Sequence, residues 1–163
     1  MMLMKKTCMA LLLLMLTSAS AFAQFEKGKK YLGASLTSAG LSYSDYDEFQ
    51  LGADITAGYM FRQDWMLLGE AGFDLRKGDL QTLYLGAKGR YYIEQNGLYL
   101  GCGLRYLHNF SNFNDLQLTP EVGYCFFLGG HITIEPAAYY DMSLTDFGHK
   151  SKVGVKVGLG YYF

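Results

Sequence analysis

Hydrophobic and polar residues alternate along most of the chain after about residue 30. In the last stretch, 151–163, the odd positions from Val153 onward are apolar, and the even positions are lysine, glycine or tyrosine. Because successive side chains of a β-strand point to opposite faces, this stretch is predicted to be a strand with one apolar face. The stretch ends on Phe163, and an aromatic residue at this point is typical of a strand whose apolar face meets lipid.

Eight segments of this kind predict eight β-strands joined by short polar connections. The phase of the first segment changes near Gly40, which predicts a β-bulge. Pro120 and Pro136 each remove a backbone donor from a predicted strand, so we expect a bulge or a strand end at each. Gly129 and Gly130 predict a tight hairpin turn. The predicted strand ranges are 31–38, 49–61, 65–76, 82–91, 98–106, 116–128, 132–142 and 151–163.

The two faces of these strands differ sharply in charge. The apolar face carries no Asp, Glu, Lys or Arg, whereas the opposite face is also rich in glycine. This opposite face carries six acidic and six basic residues, namely Asp54, Glu70, Asp74, Arg76, Lys88, Arg90, Arg105, Glu121, Glu135, Asp141, Lys152 and Lys156. In a soluble lipocalin-like barrel the apolar face would point inward, and in an outer-membrane barrel the charged face would be enclosed.

Three features favour the membrane arrangement. A crowded interior needs glycine beside each long Arg or Lys, whereas a surface in water does not. The predicted strands are mostly long enough for the roughly 9–11 residues that span a bilayer. Aromatic residues of the apolar face cluster near strand ends, as in a lipid-facing girdle (Tyr59, Phe61, Trp65, Tyr91, Phe126, Tyr161 and Phe163). We therefore predict an all-β fold, a closed eight-stranded antiparallel up-and-down transmembrane β-barrel.

The first 23 residues are predicted to be a secretory signal peptide. Lys5 and Lys6 precede an apolar run at 9–16, and small residues at 21–23 predict cleavage before Gln24. The barrel domain is then 24–163, located in the outer membrane, with a polar segment at 24–30 in the periplasm. Without those two lysines the chain has 12 basic and 15 acidic residues, so no basic patch indicates nucleic-acid binding.

The signal peptide, the eight alternating segments and the terminal pattern together resemble the small outer-membrane β-barrel proteins, of the OmpA transmembrane-domain and OmpX type. The resemblance covers 24–163. It implies that the terminal strand is the signal read by the outer-membrane assembly machinery, here Val157, Leu159, Tyr161 and Phe163. The peptidoglycan-binding domain of OmpA does not follow the barrel, so tethering to the cell wall is not expected.

The twelve enclosed charges have two interpretations. Buried charges must be paired, and an eight-stranded barrel is just wide enough for side chains to fill, so we expect a plug of ion pairs. A narrow, porin-like pore is the alternative. A second alternative is a lipid-modifying barrel enzyme, because the His149-x-Ser151 spacing resembles that of lipid A deacylases, but only Asp146 is near enough in sequence to orient the histidine.

No group of Cys and His residues has metal-ligand spacing, and we expect no metal and no cofactor. Cys102 and Cys125 fall on opposite faces, so no disulfide is predicted between them. The expected partners are outer-membrane lipids and lipopolysaccharide, the assembly machinery, and a surface ligand at loops 39–48, 77–79, 109–115 and 144–150. The overall prediction is a non-enzymatic envelope protein with a structural and surface-interaction role.

Overall fold

The computed structural model describes residues 25–41, 50–76, 79–93, 96–110, 113–145 and 151–163. These residues form β-strands of alternating side-chain direction, as the period-two pattern requires. Within the described ranges, no helix is long and apolar enough to cross a membrane. The strands are β1 Lys30–Leu41, β2 Gln50–Arg62, β3 Trp65–Arg76, β4 Asp79–Tyr92, β5 Leu98–Asn109, β6 Phe113–Tyr124, β7 Phe126–Phe127, β8 Ile132–Ser143 and β9 Lys152–Tyr162.

The strands form one closed antiparallel sheet. Consecutive strands pair with each other except β6 and β7, which both pair with β8, and the pairing of β1 with β9 completes the circle. β7 continues the line of β6, because Gly123 lies opposite Ala137 and, three residues on, Phe126 lies opposite Ile134. The predicted closed eight-stranded barrel is therefore confirmed, with its sixth strand interrupted at Cys125.

The two prolines act differently from the prediction. The register from β6 and β7 to β8 is unshifted across both of them, so the predicted bulges or strand ends are wrong. The backbone bonds Leu144 N to Leu116 O and Leu128 N to Ile132 O fix the alternation of this ladder. By that alternation, Pro120 faces Tyr140 and Pro136 faces Tyr124, and neither pair occurs in the ladder. The sheet therefore keeps its register, and one residue pair is missing from the ladder at each proline.

Several connections differ from the prediction because the strands are longer than the apolar pattern. The bulge near Gly40 is confirmed by the register shift between Ala39 and Leu41 against β9. The predicted loop at 109–115 is wrong at both ends, since β5 reaches Asn109 and β6 begins at Phe113. Asp79 opens β4 instead of closing a turn. The ends of these strands consist of polar residues. Their backbone pairing with the neighbouring strand continues there, although no apolar face marks the strand in the sequence.

The two ends of the barrel differ. The end that we call the turn end carries the start of β1, the end of β9 and the connections at 63–64, 93–97 and 128–131. The opposite end, the loop end, carries the connections at 42–49, 77–78, 110–112 and 144–151. Asp64, in the tightest connection, has φ of 63°, a left-handed conformation that Asp tolerates better than most residues. The predicted signal peptide and most of loop 39–48 lie outside the described residues.

Burial separates the two faces of the sheet. Mid-strand apolar side chains point outward, with Ile55 64% and Leu85 67% exposed in the isolated chain. Charged side chains of the same strands point inward, and Glu70 and Lys88 are each 2% exposed. An apolar exterior around a charged interior inverts the arrangement of a soluble protein, and it is the arrangement that a bilayer stabilises.

Candidate functional site

The interior of the barrel is the candidate site, and it is divided into three layers along the barrel axis. At the turn end is an apolar layer of Phe25, Tyr31, Met60, Met66, Leu68, Tyr92, Tyr99, Cys125, Ala137 and Tyr162. The middle, which we call the ion-pair layer, contains Glu70, Lys88, Arg90, Arg105, Glu121, Glu135, Asp141 and Lys156. Towards the loop end is a cavity of about 30 Å³, the loop-end chamber.

Lys88 is the centre of the ion-pair layer. Its Nζ donates to Glu70 Oε2 at 2.9 Å and to Glu121 Oε2 at 2.8 Å, joining strands β3, β4 and β6. Lys156 of β9, which lies on the other side of β6 from β4, donates to the same Glu121 oxygen. The ion-pair layer as a whole contains four acidic and four basic side chains, so its charges are compensated in an interior without bulk water.

Two arginines extend the network in opposite directions. Arg90 donates to Glu121 and to Glu135, each at 2.9 Å, and its guanidinium lies 4.3 Å from the centre of the Tyr99 ring. Arg105 donates to Glu70 at 3.0 Å and to Asp141 at 3.2 Å, on the loop-end side of Lys88. The planar guanidinium group suits such bridging and stacking, which an ammonium group cannot reproduce.

Eight of the twelve predicted interior charges meet in this network. Asp54 accepts hydrogen bonds from the hydroxyls of Ser35 at 2.7 Å and Tyr84 at 3.3 Å, and makes no ion pair with another described residue. Asp74 and Lys152 line the loop-end chamber. The side chain of Arg76 lies outside the described residues.

Phe25 closes the turn end and was missed by the sequence analysis. It is fully buried and stacks on Tyr92, with ring centroids 3.9 Å apart, and its edge meets Phe127 and Tyr162. Its carbonyl accepts a bond from the backbone N–H of Asp64 at 3.1 Å, and burial raises the pKa of that aspartate's carboxyl. Phe25 thus inserts into the mouth of the barrel from a segment that was predicted to be polar, while Glu26 and Lys27 next to it are exposed.

Interior tyrosines lie over glycines of neighbouring strands. A Cβ added at Gly123 would overlap the Tyr99 ring, and one at Gly154 would overlap the Tyr139 ring. The glycine-rich charged face therefore makes room for rings as well as for Lys and Arg. This packing leaves little open space in the apolar layer and the ion-pair layer.

Asp115 and Gln117 are two further interior residues that the sequence analysis missed. Each is 5% exposed, and Asp115 accepts bonds from the Ser143 hydroxyl at 2.9 Å and the Gln117 amide at 3.2 Å. The alternation pattern predicts a loop at Asp115 because the apolar face of its strand begins only at Leu116. Extending the alternation two residues toward the N-terminus would have placed it inside.

The remaining candidate residues do not form a site within the described residues. Cys102 is exposed on the outer face and Cys125 is buried inside, and both are free thiols. His149 of the His-x-Ser pair lies outside the described residues, and Ser151 accepts a bond from the backbone of Ser143 at 3.4 Å. In the described part of the chain, no three His, Cys, Asp or Glu side chains converge as a metal centre.

The four residues of the predicted assembly signal are exposed on the outer face of the last strand. Exposure does not distinguish Val157 and Leu159 from Val153 and Val155 of the same strand, which are exposed as well. The rings of Tyr161 and Phe163 lie 5.8 Å apart at the turn end. Tyr59, Phe61, Trp65 and Tyr91 are exposed at the same end, so these rings form a belt around it.

Comparison with known proteins agrees with this architecture. Residues 9–163 match the family described as "Outer membrane protein beta-barrel domain". The chain belongs to this outer-membrane β-barrel family. It is an integral protein of the outer membrane. Because short turns lie on the periplasmic side of such barrels, the turn end is assigned to the periplasm. A comparison with curated protein sequences finds no match.

Solved structures of small outer-membrane barrels resemble the fold. The N-terminal β-barrel domain of Pseudomonas aeruginosa OprF has a TM-score of 0.64 at 12% identity, covering 84% of this chain and 98% of that one. Neisserial surface protein A has a TM-score of 0.59 at 15% identity, covering 83% and 98%. Yersinia pestis Ail, in complex with the heparin analogue sucrose octasulfate, has 0.52 at 16%, covering 84% and 99%. At these identities the likeness shows the fold alone.

Proposed function

We propose that this protein is a non-enzymatic outer-membrane barrel with a closed lumen, which serves envelope structure and presents its loop end to partners at the cell surface. The supporting observation is the continuous filling of the interior. Phe25 and its aromatic neighbours block the periplasmic mouth, and the ion pairs around Lys88 block the middle. The chamber beyond them has a volume of about 30 Å³, which is enough for one or two water molecules but not for a continuous water-filled channel.

Single-channel recording in planar bilayers tests the closed lumen. The wild-type protein is expected to give no resolved current steps, because both barriers must be removed before ions can pass. The double variant Phe25→Ala/Arg90→Ala removes large side chains from adjacent layers and is expected to give small steps. Resolved steps from the wild-type protein would instead support the narrow pore and refute the plug.

The proposed surface role rests on the composition of the first loop. Residues 42–49 lie outside the described residues, and their sequence combines Tyr43 and Tyr46 with acidic Asp45, Asp47 and Glu48. An acidic loop favours a basic partner or divalent cations of lipopolysaccharide over a polyanion such as the sulfated sugar bound by Ail. Pull-down on intact cells is expected to lose the partner when the three acids are replaced by amides. Equal capture by this variant would contradict the proposal.

We also propose that Val157, Leu159, Tyr161 and Phe163 are read by the assembly machinery. Their exposure on one face of the last strand supports this role, since an assembly factor can reach them before the barrel closes. Phe163→Ala is expected to lower the amount of barrel in the outer membrane while leaving refolding in detergent unchanged. A parallel loss of refolding would show that the ring acts only in packing at the membrane interface.

A further inference from the structure

The segment that precedes β1 is held to the barrel by few contacts. Phe25 is fully buried in the turn-end mouth, whereas Glu26 and Lys27 beside it are exposed. Among the described residues, one backbone hydrogen bond joins 25–27 to the rest of the barrel, from the Asp64 N–H to the Phe25 carbonyl at 3.1 Å. The bond from the Lys29 N–H to the Glu26 carbonyl is long, at 3.4 Å, and stays within the segment. One buried ring and one bond are therefore the main attachments of these three residues.

Gly28 separates this segment from the paired start of β1. Its φ of 95° is a left-handed conformation that glycine adopts without strain, and its own N–H donates to the Met60 carbonyl at 2.8 Å. Beyond it the Met60 N–H donates to the Lys29 carbonyl at 2.8 Å, and Lys30 and Phe163 exchange two backbone bonds. A rotation about φ of Gly28 gives up its own bond and moves 25–27, while the bonds of Lys29 and Lys30 stay in place.

The Phe25 ring occupies a pocket whose walls are formed by the barrel. It stacks on Tyr92 and meets Phe127 and Tyr162 edge to face. Cys125 belongs to the same apolar layer, is 2% exposed, and has its Sγ 3.6 Å from the Tyr162 hydroxyl. Removal of the Phe25 ring would open this pocket at the turn end and leave the strands paired. Reactivity of the Cys125 thiol reports such an opening.

We propose that 25–27 is a latch that opens by rotation at Gly28 while the barrel stays intact, and that the open latch exposes the Cys125 thiol to the periplasm. Opening restores the conformational freedom of the latch residues at the loss of few contacts, whereas a strand has to give up a whole ladder of bonds. The ion pairs around Lys88 are formed by strand side chains, so the middle of the lumen remains closed when the latch opens.

Amide hydrogen exchange, followed by NMR in nanodiscs, distinguishes an open latch from an open barrel. The N–H groups of Asp64 and Gly28 lose their acceptors when the latch opens, whereas those of Met60 and Lys30 keep theirs. We expect Asp64 and Gly28 to exchange at least about a hundredfold faster than Lys30, at rates that low urea does not change because local opening exposes little surface. Exchange of all four amides with one rate and one urea dependence would overturn the proposal.

Labelling by iodoacetamide measures the exposure of Cys125. Cys102→Ser removes the exposed thiol and leaves Cys125 as the single cysteine of 24–163. In this background Phe25→Ala should speed labelling by at least about a hundredfold, because the loss of a buried aromatic ring shifts the opening equilibrium by that factor or more. Labelling that Phe25→Ala does not accelerate would show that the latch does not control access to the thiol.

The matched variants Gly28→Ala and Gly130→Ala test the hinge without changing the pocket. A Cβ would meet nothing within 4 Å at either position, and both lie at the turn end, but Gly130 is not in the left-handed region. Because alanine is strained at the φ of Gly28, Gly28→Ala should speed Cys125 labelling and Asp64 exchange about five- to tenfold, and Gly130→Ala should change them less than about twofold.

Equal rates in these two variants would overturn the hinge, and this comparison decides alone if Phe25→Ala does not fold. Both alanine variants keep the Phe25 ring and the apolar layer, so a difference between them cannot come from a cavity. Current steps in planar bilayers would refute the closed lumen without bearing on the latch, because exchange and labelling are measured without ion flow.

Discussion

Replacing Lys88 by Met tests how far the interior depends on its central cation. Lys88 is 2% exposed and forms two charge-assisted bonds, to Glu70 and Glu121. Each bond to a charged group contributes about 1.5–3 kcal/mol, and removing one partner of a buried pair costs about 3–5 kcal/mol because the other charge stays buried. Met fills a similar volume, so the loss comes from charge. We expect the free energy of unfolding to fall by about 3–5 kcal/mol.

Urea unfolding in detergent micelles measures this loss. Trp65, the single tryptophan, lies on the outer face at the turn end and reports unfolding by its fluorescence. Lys27→Met is the control, because Lys27 is exposed in the segment before β1 and should change stability by less than about 0.5 kcal/mol. A Lys88 variant within about 1 kcal/mol of the wild type would refute the network as a source of stability.

Two further changes test the outer face and the periplasmic mouth. Ile55→Arg, in the middle of the lipid face, should cost about 2–4 kcal/mol in urea unfolding from lipid vesicles, while Tyr59→Arg, nearer the turn end, should cost about 0–1 kcal/mol; equal costs would contradict the assigned depth. Phe25→Ala should cost about 3–5 kcal/mol by loss of buried ring contacts, against a smaller loss for the outward-facing Phe61→Ala, and the opposite order would show that Phe25 does not close the mouth.

The faces of the strands were predictable because the side-chain period of a strand is two, so one clear segment fixes which residues share a face. That rule placed Glu70 and Lys88 on the charged face from sequence alone. Strand ends were less predictable: β5 continues through polar His108 and Asn109, where the apolar pattern has stopped but the backbone ladder has not. Asp115 was missed for the same reason.

The partners within the interior were not predictable. Lys88 and Lys156 meet at Glu121 although they lie on β4 and β9, on different sides of β6 in the closed barrel. Such meetings depend on the stagger between strands, which a single sequence does not specify. The burial of Phe25 was not predicted because a single aromatic residue in a polar segment forms no alternating pattern. The prolines were misjudged because a missing donor can leave a gap without shifting the register.

A closed sheet has no edge strand, so its opening has to begin between two paired strands. The prolines favour one of these pairings. Pro120 and Pro136 both withhold a backbone donor from the ladder joining β6 and β7 to β8, whereas the ladder joining β1 to β9 is paired from Tyr31 to Ala39. Thermal fluctuations should therefore open the barrel first between β8 and the strands β6 and β7. The pairing of the first strand with the last should stay intact during these fluctuations.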